Sequence, residues 1–297
     1  MTQSDGATGP LAGPAAAPRR IRIRAGRHAG LIGGCILLGL LALLIFGASF
    51  ITPYDPLEQR IAERLQPPGL EHPLGTDRFG RDVLARTLHG GQYTLIASAA
   101  ALGGALGIGL LIGLGAGMMH GTWIDALLMR IIDVLMSFPF MVLALVVAAL
   151  LGTSLLHLLL AVVAVWWVAF ARLARSVALQ ARQETSYAAA RVLGASRIAL
   201  LVKELLPRAL GPVLILATFE LGSLILSIAA LSFLGLGAQP PAPEWGSMLA
   251  DGRAHMLQAP HILAGPALFI VLTVLAFNLI GEGLRDRLDP YEQPGWQ

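Results

Sequence analysis

Residues Ala29–Ile51 read AGLIGGCILLGLLALLIFGASFI, an unbroken apolar run without a charged side chain. A helix needs about 20 such residues to cross a hydrocarbon core roughly 30 Å thick, and this run is long enough. It also exceeds the apolar region of about 7–15 residues in a secretory signal. The arginines before it and the run itself therefore read as an uncleaved membrane anchor. Cys35, the sole cysteine, falls inside the anchor and has no partner within the chain, so there is no disulfide framework.

Working outward, five more runs of similar character follow: Tyr93–Met118, Met129–Leu151, Ser154–Ala171, Pro212–Leu236 and Ile262–Gly281. The third and fourth are separated only by Gly152-Thr153, and the others are bounded by Pro, Gly or charged residues that suit helix ends. The composition agrees: 56% of residues are hydrophobic and 13% charged, with a mean hydropathy of +0.70, far from an ordinary soluble domain. Backbone amides in lipid must bond internally, which leaves helices or closed barrels. A barrel would show segments of about ten residues with alternating polarity. None is present, so the chain reads as an all-α polytopic membrane protein with six transmembrane helices.

Basic residues concentrate on the cytoplasmic flanks of spans. With both ends inside, Arg19, Arg20, Arg22, Arg24, Arg27, Arg130, Arg172, Arg175, Arg182, Arg191, Arg197, Lys203, Arg208, Arg285 and Arg287 fall in the cytoplasm. Arg60, Arg64, Arg78, Arg81, Arg86 and Arg253 share the outer segments with eight acids. The expected orientation is N-in/C-in, and the net charge of +3 reflects topology rather than nucleic-acid binding. Residues 1–28, rich in Ala, Gly, Pro and Arg, read as a disordered cytoplasmic tail. The expected order is then a first transmembrane helix over 29–51, a periplasmic loop over 52–92, a five-helix domain over 93–283 and a cytoplasmic tail over 284–297. The loops 52–92 and 237–261 are long enough to carry short helices on the outer surface. The cytoplasmic segment 172–211 is too long and too charged for a simple connector. No internal duplication at a fixed period is visible.

That segment contains Ala188-Ala189-Ala190-Arg191-Val192-Leu193-Gly194, nine residues, then Glu204-Leu205-Leu206-Pro207. The alanines favour helix and give it a smooth surface. Gly194 removes a side chain where a backbone approaches or the helix turns, and Pro207 ends or bends the element. Taken alone, this is also what an amphipathic surface helix without a partner looks like. The spacing nevertheless resembles the EAA loop of ABC importer permeases, Glu-Ala-Ala, three residues, Gly, nine residues, Ile-x-Leu-Pro. Ala188 stands in place of the motif glutamate and Glu204 in place of the isoleucine.

Four further stretches, in order, extend the likeness: the run from His72 to Leu84 (HPLGTDRFGRDVL), Asp133-Val134-Leu135-Met136-Ser137-Phe138-Pro139, Leu231–Gly237 (LSFLGLG) with Glu244–Leu249 (EWGSML), and Ala276–Pro290 (AFNLIGEGLRDRLDP). Together they resemble the dipeptide, oligopeptide and nickel permeases, in particular the C-type subunit with one long outer loop after its first span. The resemblance covers nearly the whole chain after residue 50. It implies a type I ABC importer permease fold with a cytoplasmic coupling helix, in which Ala188, Ala189, Ala190, Gly194, Leu206 and Pro207 couple to an ATPase. It also implies partners: a homologous permease subunit forming a heterodimer, two ABC ATPase subunits that bind ATP and Mg, and a periplasmic or lipid-anchored substrate-binding protein. The chain itself holds no cofactor on this reading. Its place is the bacterial inner membrane, and its solute is a di- or oligopeptide or a related small molecule.

Other residues draw attention on their own chemistry. Thr76 followed by charges looks like a capped helix start on the outer surface, with Asp77, Arg81 and Asp82 pairing locally; by position the same three are candidates for contact with a docked binding protein. Trp245 beside Gly246 reads as an interfacial aromatic anchor. Glu220, about two turns into its span and near its inner half, lines the translocation path, bonds a neighbouring helix or snorkels to the interface; Asn278 is a second intramembrane polar group. Gly109, Gly113 and Gly117, four apart, allow close packing against a sister span, and Pro139 is expected to bend the third span near its cytoplasmic end.

No Gly-x-x-x-x-Gly-Lys-[Ser/Thr] loop occurs and the only lysine, Lys203, lacks that setting, so ATP hydrolysis is not expected of this chain. His-Glu-x-x-His and Gly-x-Ser-x-Gly are absent too, and His72, His157, His255 and His261 lack ligand-like spacing. The competing class is an ion-gradient-driven secondary transporter, which usually carries several intramembrane charges or paired broken helices. Here almost every charge sits in a loop. A membrane scaffold would leave the long cytoplasmic segment unexplained.

Overall fold

The computed structural model describes residues 29–288. The expected N-terminal tail over 1–28, with Arg19 to Arg27, and residues 289–297 of the expected C-terminal tail lie outside them. Among the described residues every regular element is helical, apart from one isolated bridge between Thr76 and Asp82.

The first apolar run forms α1 (Ala29–Phe46) and a short α2 (Ala48–Ile51), joined at Gly47. A Cβ on Gly47 would sit 2.5 Å from the carbonyl oxygen of Leu43, so the join requires glycine. One side of α1 packs on the last helix. The other side leaves Ile36, Leu40, Leu43 and Phe46 bare, a face that lipid accepts and water would not.

Helix α3 (Val83–Met118) starts ten residues before the run that announced it, and Asp82 caps it by accepting the Ala85 N–H at 2.6 Å. Thr76 is therefore not the helix cap expected above. Gly75 and Gly80, both at positive φ, turn the chain back so that Thr76 meets Asp82 instead. At 1.5 Å per residue α3 is about 54 Å long, so its first turns stand outside the hydrocarbon.

The third expected span is not one helix. It divides into α4 (Trp123–Met136) and α5 (Phe140–Leu151), which meet at 94°. Pro139 lacks an N–H and drives Phe138 out of helical geometry, and the result is a right-angled elbow rather than a bend. Thus Met129–Met136 belongs to a different direction of the chain from Phe140–Leu151. At about 18 Å, α5 alone is too short to cross; the pair counts as one broken span, giving up to six in all.

Helix α6 (Leu155–Ala181) is capped by Ser154, which accepts the His157 N–H at 3.1 Å. It continues ten residues past Ala171, so the first quarter of segment 172–211 is an extension of a span. Next come α7 (Thr185–Val192) and α8 (Arg197–Leu200), a wide π-helical turn over Leu201–Leu205, and α9 (Leu206–Phe233). Pro207 therefore begins α9 rather than ending the element before it; the wide turn accommodates a residue that cannot bond back to the preceding turn. After α9, α10 (Trp245–Gly252) lies in loop 237–261, and α11 (His261–Leu288) closes the bundle.

The main core lies where α3, α6 and α9 meet, around Leu158, Phe170, Leu224 and Ile228. Cβ atoms added at Gly109, Gly113 and Gly117 would lie 2.5, 2.3 and 2.5 Å from atoms of Phe170, Ala171 and Ala178. The glycine row is thus the seam between α3 and α6. A second cluster gathers Leu41, Ile45, Ala229, Met248 and Ile270 around Trp245. Trp245 is fully buried and donates its indole N–H to the Thr87 carbonyl at 2.8 Å. That corrects the reading of it as an interfacial anchor: α10 tucks it inward, against Gly91, where a Cβ would come within 2.8 Å of the ring.

Candidate functional site

The segment between α6 and α9 projects beyond the bundle as two short helices joined at Gly194. The carbonyl of Ala190 accepts the Ala195 N–H at 3.1 Å while Gly194 sits at φ +82, a glycine-terminated helix end. A Cβ there would meet nothing within 4 Å, so glycine serves the turn and not a close approach. Tyr187 is buried and Ala190 packs on the core, whereas Ala188 and Ala189 face out. Leu206 is half-buried at the start of α9, and Pro207 is exposed.

The turn carries a feature that the sequence reading passed over. Val192, Leu193 and Ile198 are 87%, 86% and 76% exposed. Three bulky apolar side chains at the turn, on a loop otherwise full of charge, form a contact surface without a partner among the described residues. Their signal was present as a Val-Leu pair before the glycine and an isoleucine four residues after it. The base of the lever is fixed by Arg208 of α9, which reaches Glu184 at 2.7 Å, the Ser186 hydroxyl at 2.8 Å and Glu204 at 3.3 Å.

Glu220 stands fourteen residues after Leu206 and thirteen before Phe233, so it lies at the middle of the helix, further from its start than the two turns expected. The earlier start of α9 makes the difference. Its Oε2 accepts the Trp166 indole N–H at 2.7 Å, a bond to a neighbouring helix. Phe140 stacks edge-on against Trp166 with ring centroids 3.9 Å apart. Together with Met136 and Phe138 at the α4–α5 elbow, these residues line a groove of about 350 Å³. Among the described residues no cation pairs with Glu220, and part of the carboxylate faces the groove. Asn278 of α11 lies beside Gly222, its Oδ1 3.6 Å from where a Cβ would be.

In loop 52–92 Asp77, Arg81 and Asp82 are all buried. Asp77 accepts from Arg81 Nε at 2.6 Å and from the backbone N–H groups of Phe79 and Arg81 at 2.8 and 3.0 Å. Asp82 bonds His72 at 2.8 Å as well as capping α3. Arg86 adds a 3.6 Å approach to Asp77 and donates to the carbonyls of Pro56 and Pro241, which ties loops 52–92 and 237–261 together. Arg78 bridges to Asp251 at 3.2 Å at the rim. In the second loop Glu244 caps α10, accepting the N–H groups of Gly246 and Ser247 at 2.9 Å each. Its burial pushes that carboxyl above the usual range, against the pull of those bonds.

The family described as "Binding-protein-dependent transport system inner membrane component" matches residues 109–291, and the "N-terminal TM domain of oligopeptide transport permease C" matches residues 22–68. Over 265 residues the chain is 44% identical to the glutathione transport system permease protein GsiD of Escherichia coli O6:K15:H31 (strain 536 / UPEC), of Shigella boydii serotype 4 (strain Sb227) and of Escherichia coli O157:H7. These alignments cover 89% of this chain and 87% of each relative.

Proposed function

This chain belongs to the family of binding-protein-dependent transport system inner-membrane components, multi-pass permeases of the bacterial inner membrane, and from that premise we propose that it moves a peptide-like solute by coupling its α7–α8 lever to an ATPase. The observation that carries the proposal is the bare apolar tip at Val192, Leu193 and Ile198. Burying a Leu, Ile or Val side chain contributes about 1.5–3 kcal/mol, so this tip gains stability only when it is seated in a groove of a partner.

The partner is one of two ABC ATPase subunits, which hold the ATP and Mg, and the chemistry of hydrolysis is theirs. With the N-terminus and C-terminus inside, the tip and the Ala188–Ala189 face meet the ATPase beneath the membrane. Closure of the ATPase pair shifts the lever; Arg208 passes the displacement into α9 and α6 carries it into the bundle. A homologous permease completes the pathway from the other side, and Glu220 with Trp166 lines it. A loaded binding protein favours one state of the bundle by differential affinity. Its contact falls on the exposed rim of the outer loops, with Asp77, Arg81 and Asp82 supporting that surface from beneath. The solute is a small peptide or a molecule of similar chemistry, as the name of the relatives, glutathione transport permeases, supports.

The test is a single-cysteine crosslink. In a Cys35→Ser background, Leu193→Cys is expected to join to an ATPase subunit of the purified importer, and to do so differently with and without ATP. Absence of any crosslink in a transport-competent complex would overturn the docking assignment.

A further inference from the structure

Between the lever and the end of α3 lies a recess of about 520 Å³, lined among others by Arg182, Arg191, Arg197 and His120 and also by the apolar Met118 and Ile124. Among the described residues no carboxylate lines it. The nearby acids are committed elsewhere: Asp125 to Arg175 at 2.7 Å and to His120, and Glu184 and Glu204 to Arg208. Among the described residues, Arg182, Arg191 and Arg197 enter no ion pair. Arg182 donates through Nη1 to the carbonyls of Gly117 and Met118, which seals the α3 terminus and leaves its remaining N–H donors for the recess.

Three guanidinium groups around one cavity repel one another, and this costs free energy unless an anion enters. Their planar forks match the oxygens of a phosphate, and an apolar wall beside a basic one, at the end of membrane helices, suits a phospholipid head with the start of its tails. We propose that this recess binds a phosphate group that bridges α7 and α8 to the α3–α4 turn and so steadies the lever. The bound group is a phosphodiester lipid head or a free phosphate, since both present the same oxygens.

The experiment uses the assembled importer in two kinds of vesicle, phosphatidylcholine alone and phosphatidylcholine with phosphatidylglycerol. The wild type is compared with the double variant Arg191→Gln/Arg197→Gln and with each single change. Arg182 is left intact because it also holds the α3 end, and the changed residues are exposed, so the fold survives. Two quantities are read: phosphatidylglycerol retained per complex by native mass spectrometry, and ATPase stimulated by the binding protein. Wild type is expected to retain at least one more phosphatidylglycerol than the double variant and to gain severalfold activity from it, with the single variants between. If inorganic phosphate at millimolar concentration replaces that gain in pure phosphatidylcholine, the ligand is the free anion. Equal lipid retention by wild type and variant, with no response to either source, overturns the proposal. So does a crosslink from Arg191→Cys or Arg197→Cys to an ATPase carboxylate position accompanied by loss of that subunit from the double variant, because the arginines are then partner contacts.

Discussion

Arg208, in the first turn of α9, holds Glu184 at 2.7 Å and the Ser186 hydroxyl at 2.8 Å across 22 or more residues of intervening chain. This side chain links the start of the projecting lever to the helix that carries Glu220. The pairs are partly solvated, and such bridges contribute about 0–1 kcal/mol each to stability. Their value is directional.

Replacing Arg208 with Gln is therefore expected to leave assembly nearly intact and to lower solute moved per ATP hydrolysed severalfold. Uptake and hydrolysis measured together in vesicles check this. An unchanged ratio would show that the lever is transmitted through backbone alone.

The glycine seam makes a contrasting pair. Gly113→Ala puts a Cβ 2.3 Å from the Ala171 carbonyl oxygen, whereas Gly115→Ala meets nothing within 4 Å. Forcing α3 from α6 costs about 1–3 kcal/mol, while alanine at an open helical site gains up to about 1 kcal/mol. Thermal unfolding of the purified chain in detergent is expected to shift down for the first change and stay level or rise for the second.

At Gly194 the backbone is left-handed, so alanine there costs roughly 1–2 kcal/mol although space is open. Asparagine tolerates that region better. Coupled ATPase activity is expected to fall in Gly194→Ala and to recover partly in Gly194→Asn, with assembly of the spans unaffected in both. Equal activity in the two variants would remove the conformational argument.

Glu220 and Trp166 are not interchangeable partners. Glu220→Gln keeps an acceptor for the indole N–H but removes the charge, so protein yield is expected to hold while uptake drops. Trp166→Phe leaves the carboxylate without its donor, and an unsatisfied polar group in a bundle costs about 1–3 kcal/mol. Its midpoint in thermal unfolding is expected to fall further than that of Glu220→Gln. The reverse order would show that the fold depends on the carboxylate charge more than on the indole donor.

Much of this was legible beforehand. The first run ends at Ile51, where α2 ends, and the run from Ile262 marks the start of α11 to within one residue, because hydropathy reports what must avoid water. The Gly109, Gly113 and Gly117 row foretold a tight seam, and the Ala188–Gly194 pattern foretold a helix with a glycine stop. The helix ends were less visible. Windows of hydropathy stop at the first charges, yet α3 and α6 run on past the bilayer, where charged residues continue a helix at no penalty.

What the sequence determined by itself is a partition: which stretches enter lipid, which stay in water, and where a small-residue spacing recurs, since each follows from transfer free energy along the chain. Only the tertiary structure decided that Pro139 makes an elbow of 94°, that Trp245 turns inward to Thr87, that Asp77 and Arg81 are sealed beneath the outer surface, and that Val192, Leu193 and Ile198 are left bare. These depend on which helices meet. Side chains distant in sequence fix such details by bonding and crowding one another, and no local window contains both members of the pair.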